Sequence, residues 1–486
     1  MSQLPDYVAS ATPNPPDKRV GWLATTAAGN AGVMLWFVFW QGVPGGGVLS
    51  HGLGTAIAAL LAAAAICFAL FFYVPARLGA QTGLPLYIVG TSVYGVKGGF
   101  YLPGLLMGVL QYGWLAVNGY FSSLLLTTTF GAQANSATHL GVGIVWTVIT
   151  ALVGLGGMKY VGKFASYLPI IPIAVLVLLL VKTLGGLGSF DPAKAPKIAA
   201  DVTRTLGDGS LGVFHVLVTF GVGFFATLGA AGCDFGSGNK NERESALGGG
   251  GVGVFGAMLA TGVVALVAIA GTLSSSNPEI AKEALGASPA GAGFLNAILG
   301  GGVFPKVVAV ALVISAFPAA CVSSMIGANS FKSVFPKINP LVTCSIGTLA
   351  AVALVLTKVA ASADIVFNVI GASFGPVCGA LVADYILSGR KWSGPREGWN
   401  LAGWISWFVG FVVGGITPAI YLVNFFKAGG DKGKIAALAD KIDLGFTVPV
   451  PPVSAFVVGL VLYFVLASIG LTSKKLDLPQ RIDTEN

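Results

Sequence analysis

Two long stretches of the chain carry no charge: Val20 to Ala76 and Gly98 to Met158 contain no Asp, Glu, Lys or Arg. An apolar helix crosses the hydrocarbon core of a bilayer in about 20 residues, so each stretch has room for two crossings joined by an uncharged turn. The rest of the composition agrees. A soluble domain carries roughly 25% charged residues, whereas only 9% of these 486 residues are charged and 55% are hydrophobic. The pattern argues against a soluble enzyme and for an all-α membrane protein.

Apolar runs between polar punctuation predict twelve transmembrane spans, at 22–41, 53–73, 103–126, 140–157, 166–184, 213–233, 249–272, 306–328, 340–357, 363–386, 401–423 and 447–470. The polar, Pro-rich lead Met1 to Arg19 has neither the basic-then-apolar pattern nor the cleavage site of a signal peptide, so it is expected to remain attached. With that lead in the cytoplasm, the basic residues of the short loops fall inside. They include Lys18, Arg19, Arg77, Lys97, Lys159, Lys163, Lys240, Arg243, Arg390, Lys391, Arg396, Lys474 and Lys475, and the short loops 42–52 and 127–139 on the other side hold none. The positive-inside rule then places both termini in the cytoplasm of a cell-membrane protein.

Net charge is +8, but the basic residues are scattered rather than gathered into a stripe, so nucleic acid is not an expected partner. The lipid bilayer and a small molecule are, and no obligate protein partner is indicated. Cys67, Cys233, Cys321, Cys344 and Cys378 show no metal-type spacing, and no nucleophile–base pair stands out. Neither a resident metal nor another cofactor is expected.

Glycine punctuation adds a second layer. Span 1 carries Gly29-Asn30-Ala31-Gly32, and span 6 carries Gly221-Val222-Gly223 and Gly229-Ala230-Ala231-Gly232. Interrupted helices at matching places in two halves mark the midplane site of many transporters, because broken ends offer unpaired backbone groups to substrate or ion. On that reading Asn30 and Gly32 face substrate and Gly29 faces a cation. The other reading is close packing through small residues.

In span 3, Gln111, Trp114 and Asn118 lie at i, i+3 and i+7, which puts two amides and an indole on one helical face. Amides read the donors and acceptors of a planar heterocycle and an indole stacks on it. Interhelical hydrogen bonding with packing accounts for the same pattern. Span 6 offers Phe224, Phe225 and Thr227 as possible counterparts. In span 8, Pro318 deprives the Ile314 carbonyl of its helical partner near Ser315 and Ser323. That is either a cation site or a kinked helix whose serines bond back to their own backbone.

These segments resemble the nucleobase:cation symporter family of purine and cytosine permeases, its cytosine-permease branch above all. The resemblance is carried by Thr82-Gly83-Leu84-Pro85, by Tyr94 to Pro103, by Gln111-Tyr112-Gly113-Trp114 and by Ala231-Gly232-Cys233-Asp234-Phe235. It continues in Gly375-Pro376 through Ala383-Asp384-Tyr385 and in Trp399-Asn400-Leu401. It implies a five-plus-five inverted repeat with broken spans 1 and 6, followed by two further helices. The expected segments are a 1–19 tail, repeats at 20–212 and 213–400, spans 11 and 12 within 401–470, and a 471–486 tail.

The resemblance also implies secondary active import of a nucleobase, cytosine or a purine, by symport with a proton or sodium ion and alternating access. Gln111, Trp114 and Phe225 would contact the base, with Asn118 and Thr227 nearby. Phe224 stands where cytosine permeases tend to have Ser. Alternatives are another heterocycle of the same family (a hydantoin, allantoin or a vitamin precursor) or a passive facilitator or channel, although no polar pore ring is visible.

Overall fold

The computed structural model describes residues 4–23, 47–156, 167–168, 170–195, 209–274, 292–335, 337–429 and 448–477. After a short helix α1 (Asp6–Ala9), the main helices are α2 (Leu53–Thr82), α3 (Phe100–Thr129), α4 (Ala137–Leu155), α5 (Ile170–Ser189), α6 (Ser210–Ser237), α7 (Glu244–Leu273), α8 (Val303–Val334), α9 (Pro340–Leu356), α10 (Ala363–Leu387), α11 (Leu401–Lys427) and α12 (Pro451–Ser468). Among the described residues, ten helices are long and apolar enough to cross a membrane, and α9 is a shorter apolar helix. The predicted span 22–41 lies, from residue 24 on, outside the described residues.

Lipid-facing and protein-facing sides separate by helical period. On α4, Val145, Ile149 and Leu152 form an exposed apolar stripe at i, i+4 and i+7, which only a hydrocarbon solvent leaves without penalty. At the other extreme, α10 is sheathed by α6, α11 and α12. Its Phe367, Ile370, Phe374, Val377, Cys378 and Leu381 are all buried.

The expected break in span 6 is not there: α6 runs as one helix from Ser210 to Ser237. Its glycines serve close approach instead. A Cβ at Gly223 would lie 2.8 Å from the Phe367 carbonyl oxygen of α10, one at Gly232 would press on the Phe72 ring of α2, and one at Gly236 would overlap the Ala76 carbonyl. Without a Cβ, the helix backbones pack at short range and the hydrogen-bond ladder stays intact. The interruption falls in α3, where Leu102 leaves helical geometry (φ −121°, ψ 111°) beside Pro103 within a π-helical turn at Phe100–Leu105. Proline at 103 cannot donate to the ladder, which accounts for a break at that point.

Gly79 of α2 makes the same close approach from the other side, since a Cβ there would overlap the Cys233 carbonyl of α6. Gly79→Ala is therefore expected to destabilise the protein by about 1–3 kcal/mol through overpacking. A lowered melting temperature in detergent is the readout. Gly54→Ala is the control, because the space around Gly54 is open and its substitution should leave the melting temperature unchanged.

One end of the bundle is stitched by segments far apart in sequence. Arg396, counted above among the topology-setting charges, is buried. Its Nε donates to the Ser92 carbonyl at 2.8 Å and Nη1 to the Ser473 carbonyl at 3.0 Å, and Nη2 lies 3.4 Å from Asp384 Oδ1. The Asp384 carboxylate also accepts from Tyr463 at 3.0 Å and from Ser393 at 2.7 Å. Asn400 donates to the Val93 carbonyl at 2.6 Å and accepts from the Ser473 amide at 3.0 Å.

The N-terminal segment is pinned at the same end. Val20 pairs with Asn239 in an isolated parallel bridge, Arg19 Nη1 donates to the Ala80 carbonyl at 2.8 Å, and the Asn14 amide donates to the Gly83 carbonyl at 2.8 Å. Tyr7 of α1 donates to the Val96 carbonyl. Burial, with Tyr87 adding to it, pushes the Tyr7 hydroxyl above its ordinary pKa, which keeps it a donor.

Candidate functional site

The candidate site lies where α3, α6 and α10 meet, and Trp114 is at its centre. The indole Nε1 donates to Thr227 Oγ1 of α6 at 3.0 Å. The Phe224 ring meets the indole edge-to-face at 4.9 Å and 87°, and the Phe367 ring of α10 lies 4.9 Å away, tilted by 32°. Phe225 contacts Phe224 at 4.9 Å, and Phe220 packs on Phe367 at 5.5 Å. Trp114, Phe224, Thr227 and Phe367 are buried, and Phe225 is half-buried.

Trp114 thus meets Thr227 and Phe224 across two helices distant in sequence, and Phe225, the expected stacking partner, packs on Phe224. Offset and edge-to-face rings of this kind hold one another at roughly 0.5–1.5 kcal/mol per pair. They form a wall of flat apolar surface that a planar molecule can share.

Gln111 lies one turn before Trp114 on α3 and is buried. Its only polar neighbour among the described residues is Met107 of the same helix, whose sulfur lies 3.6 Å from Nε2. A thioether is a weak acceptor, so this amide is poised to exchange it for a stronger partner.

Asn118 is placed differently. Its Nδ2 donates to the Ala316 carbonyl of α8 at 3.1 Å, and its Oδ1 accepts from Trp146 of α4 at 3.0 Å and from Ser122 at 3.2 Å. The amide ties α3, α4 and α8 together, the interhelical reading of the face.

In α8 the helix continues through Pro318. Ser315 is buried and donates back to the Leu312 carbonyl at 2.7 Å, the back-bonding alternative. Ser323 lies two turns on, about 12 Å farther along the axis at 1.5 Å per residue, so no single ion touches both hydroxyls. Gly29, Asn30 and Gly32 lie outside the described residues.

Sequence reasoning missed Phe367. It sits 253 positions beyond Trp114, and one phenylalanine in an apolar helix carries no signal of its own. Only the packing of α10 against α3 and α6 identifies it.

With this geometry in view, likeness to known proteins takes on meaning. Residues 16–393 match a family described as permease for cytosine/purines, uracil, thiamine, allantoin. Among solved structures, Mhp1, a nucleobase-cation-symport-1 family transporter, in a closed conformation with bromovinylhydantoin bound, is 16% identical. That match has a TM-score of 0.61 and covers 96% of this chain and 97% of that one.

The inward-facing conformation of Mhp1 gives a TM-score of 0.65 at 14% identity, covering 96% and 95%. A Na+-coupled sialic acid symporter, in a substrate-bound outward-open state, gives 0.56 at 13% identity, covering 97% and 93%. No curated protein sequence is significantly similar to the chain. The structural likenesses establish the fold, and the family match covers well over half of the chain. The chain belongs to the family of permeases for cytosine/purines, uracil, thiamine and allantoin.

Proposed function

We propose that the protein imports a single flat, uncharged heterocycle, cytosine or a purine, by symport with a proton or sodium ion and alternating access. The observation that carries this reading is the Trp114 cluster. A buried indole, hydrogen-bonded across to α6 and packed by rings from α6 and α10, lies one turn from a glutamine amide whose one hydrogen-bond partner among the described residues is a thioether. Stacking surface beside one adaptable amide suits a neutral base.

Gln111, Trp114, Phe225 and Thr227 are the proposed contacts, with Phe224 shaping the pocket and Asn118 positioning α3. Asn30 and Gly32 are retained as backbone or amide contacts from the first span, and Gly29 with Ser315 or Ser323 as the candidate cation site. The proposed architecture is twelve spans, with inverted repeats over 20–212 and 213–400, two further helices within 401–470, and both termini cytoplasmic.

Uptake into proteoliposomes of labelled cytosine, uracil, adenine, guanine, allantoin, thiamine and a hydantoin, with an imposed proton or sodium gradient and without one, tests the reading. Concentrative uptake of a nucleobase that collapses with one of the two gradients is the expected result. Uptake that only equilibrates would make the protein a facilitator, and accumulation of none of the panel would refute the reading.

A further inference from the structure

A pocket of about 270 Å³ opens where α1 meets the starts of α3 and α11, with Tyr7, Lys97, Phe100, Tyr101 and Trp399 among its walls. It is smaller than the roughly 300–1,000 Å³ of enclosed small-molecule sites, and none of its residues belongs to the Trp114 cluster. We propose that it binds the headgroup of an anionic phospholipid, with Lys97 on the phosphodiester and the rings of Tyr101 and Trp399 against the glycerol and the first acyl carbons.

Three observations converge on this ligand. The first is depth. The membrane helices α3 and α11 begin at Phe100 and Leu401, so the pocket lies at the level where a helix leaves water for lipid. Amphipathic rings and lysines collect at that level.

The second is exposure. Tyr101 and Trp399 are 41% and 46% exposed, although they stack on each other at 5.7 Å and 12°. Phe100 and Tyr7 continue the aromatic wall with centroids 5.0 Å apart.

The third is charge. Lys97 is exposed, is the only charged side chain lining the pocket, and makes no ion pair among the described residues.

A free anion would satisfy the lysine and leave the rings bare. A zwitterionic lipid would cover the rings but offer the lysine a phosphodiester already countered by its own cation. An amphiphile with a negative head does both. Because Tyr7 closes the pocket from α1, a bound headgroup would also rest against the N-terminal segment.

Native mass spectrometry of the full-length protein in a mild neutral detergent, titrated with phosphatidylglycerol or phosphatidylcholine, tests the site. One phosphatidylglycerol is expected to remain bound at concentrations where phosphatidylcholine has left. Lys97→Gln should weaken phosphatidylglycerol about five-fold, the worth of one interfacial basic residue, and weaken phosphatidylcholine less, since choline already counters that lipid's phosphodiester. Lys97→Arg should restore the difference, and Trp399→Leu should weaken both lipids. Lys358→Gln, before the start of α10 and outside the pocket, should change neither. Equal affinity of wild type and Lys97→Gln for phosphatidylglycerol would mean annular lipid only and overturn the proposal. So would displacement of phosphatidylglycerol by an equal concentration of inorganic phosphate.

Discussion

Trp114→Ala is expected to reduce saturable uptake to background while the protein still reaches the membrane. The indole supplies stacking surface, and base–aromatic stacking contributes about 1–3 kcal/mol per base. It also carries the Nε1–H to Thr227 that joins α3 to α6 at 3.0 Å. Losing both leaves a hole beside Phe224 and Phe367, whose rings already meet edge-to-face at 5.0 Å and would lose the indole they share. Trp114→Phe separates the contributions, because it keeps a ring and removes the donor, and an intermediate uptake is expected.

Gln111→Ala should raise KM about ten-fold, the scale of one or two hydrogen bonds to a buried partner. Membrane abundance is measured for each variant alongside initial rates of uptake. Unchanged uptake in both alanine variants would remove the cluster from the transport path.

Asp384→Ala should act on the fold rather than on substrate. The carboxylate and the Arg396 guanidinium are both buried, with side-chain exposures of 6% and 10%. Breaking a buried pair by deleting one partner costs about 3–5 kcal/mol, because the remaining charge has no water to return to. In this protein that charge would be a guanidinium still holding the Ser92 and Ser473 carbonyls. The expected result is a large fall in melting temperature and in the amount of folded protein in the membrane, with KM unchanged in whatever folds. Arg396→Lys should not rescue, since an ammonium cannot serve three acceptors arranged around a planar fork. A melting temperature equal to wild type would contradict the assignment.

Much of the fold is legible in the sequence because the bilayer imposes it. Charge-free runs such as Gly98 to Met158 have to be apolar helices, and α3 and α4 lie within that run. What could not be read is what the glycines do. A Gly-x-Gly in mid-span is written the same way whether it frees backbone groups for a ligand or removes a Cβ from a crossing. Gly223 takes the second role because Phe367 lies against it.

The site divides in the same manner. Gln111 and Trp114 are legible because their types and helical spacing form one face. The third member of that face, Asn118, is committed to an Ala316 carbonyl 198 residues away, and no local pattern encodes that distance. Arg396 was legible as a positive charge and not as a buried one, since its carboxylate and backbone-carbonyl partners come from separate segments.

The knot around Arg396 also bears on how the chain is made. Tyr463, which donates to Asp384, is synthesised 79 residues after it, and Ser473 follows Arg396 by 77. The Ser92 carbonyl that receives the guanidinium precedes it by 304. A polypeptide emerging from its N-terminus therefore carries this cluster incomplete until α12 is in place, and contacts of such long sequence separation form late. α12 and the residues just after it thus close a cluster begun near Ser92: a chain that stops before Tyr463 and Ser473 leaves Asp384 and Arg396 short of partners.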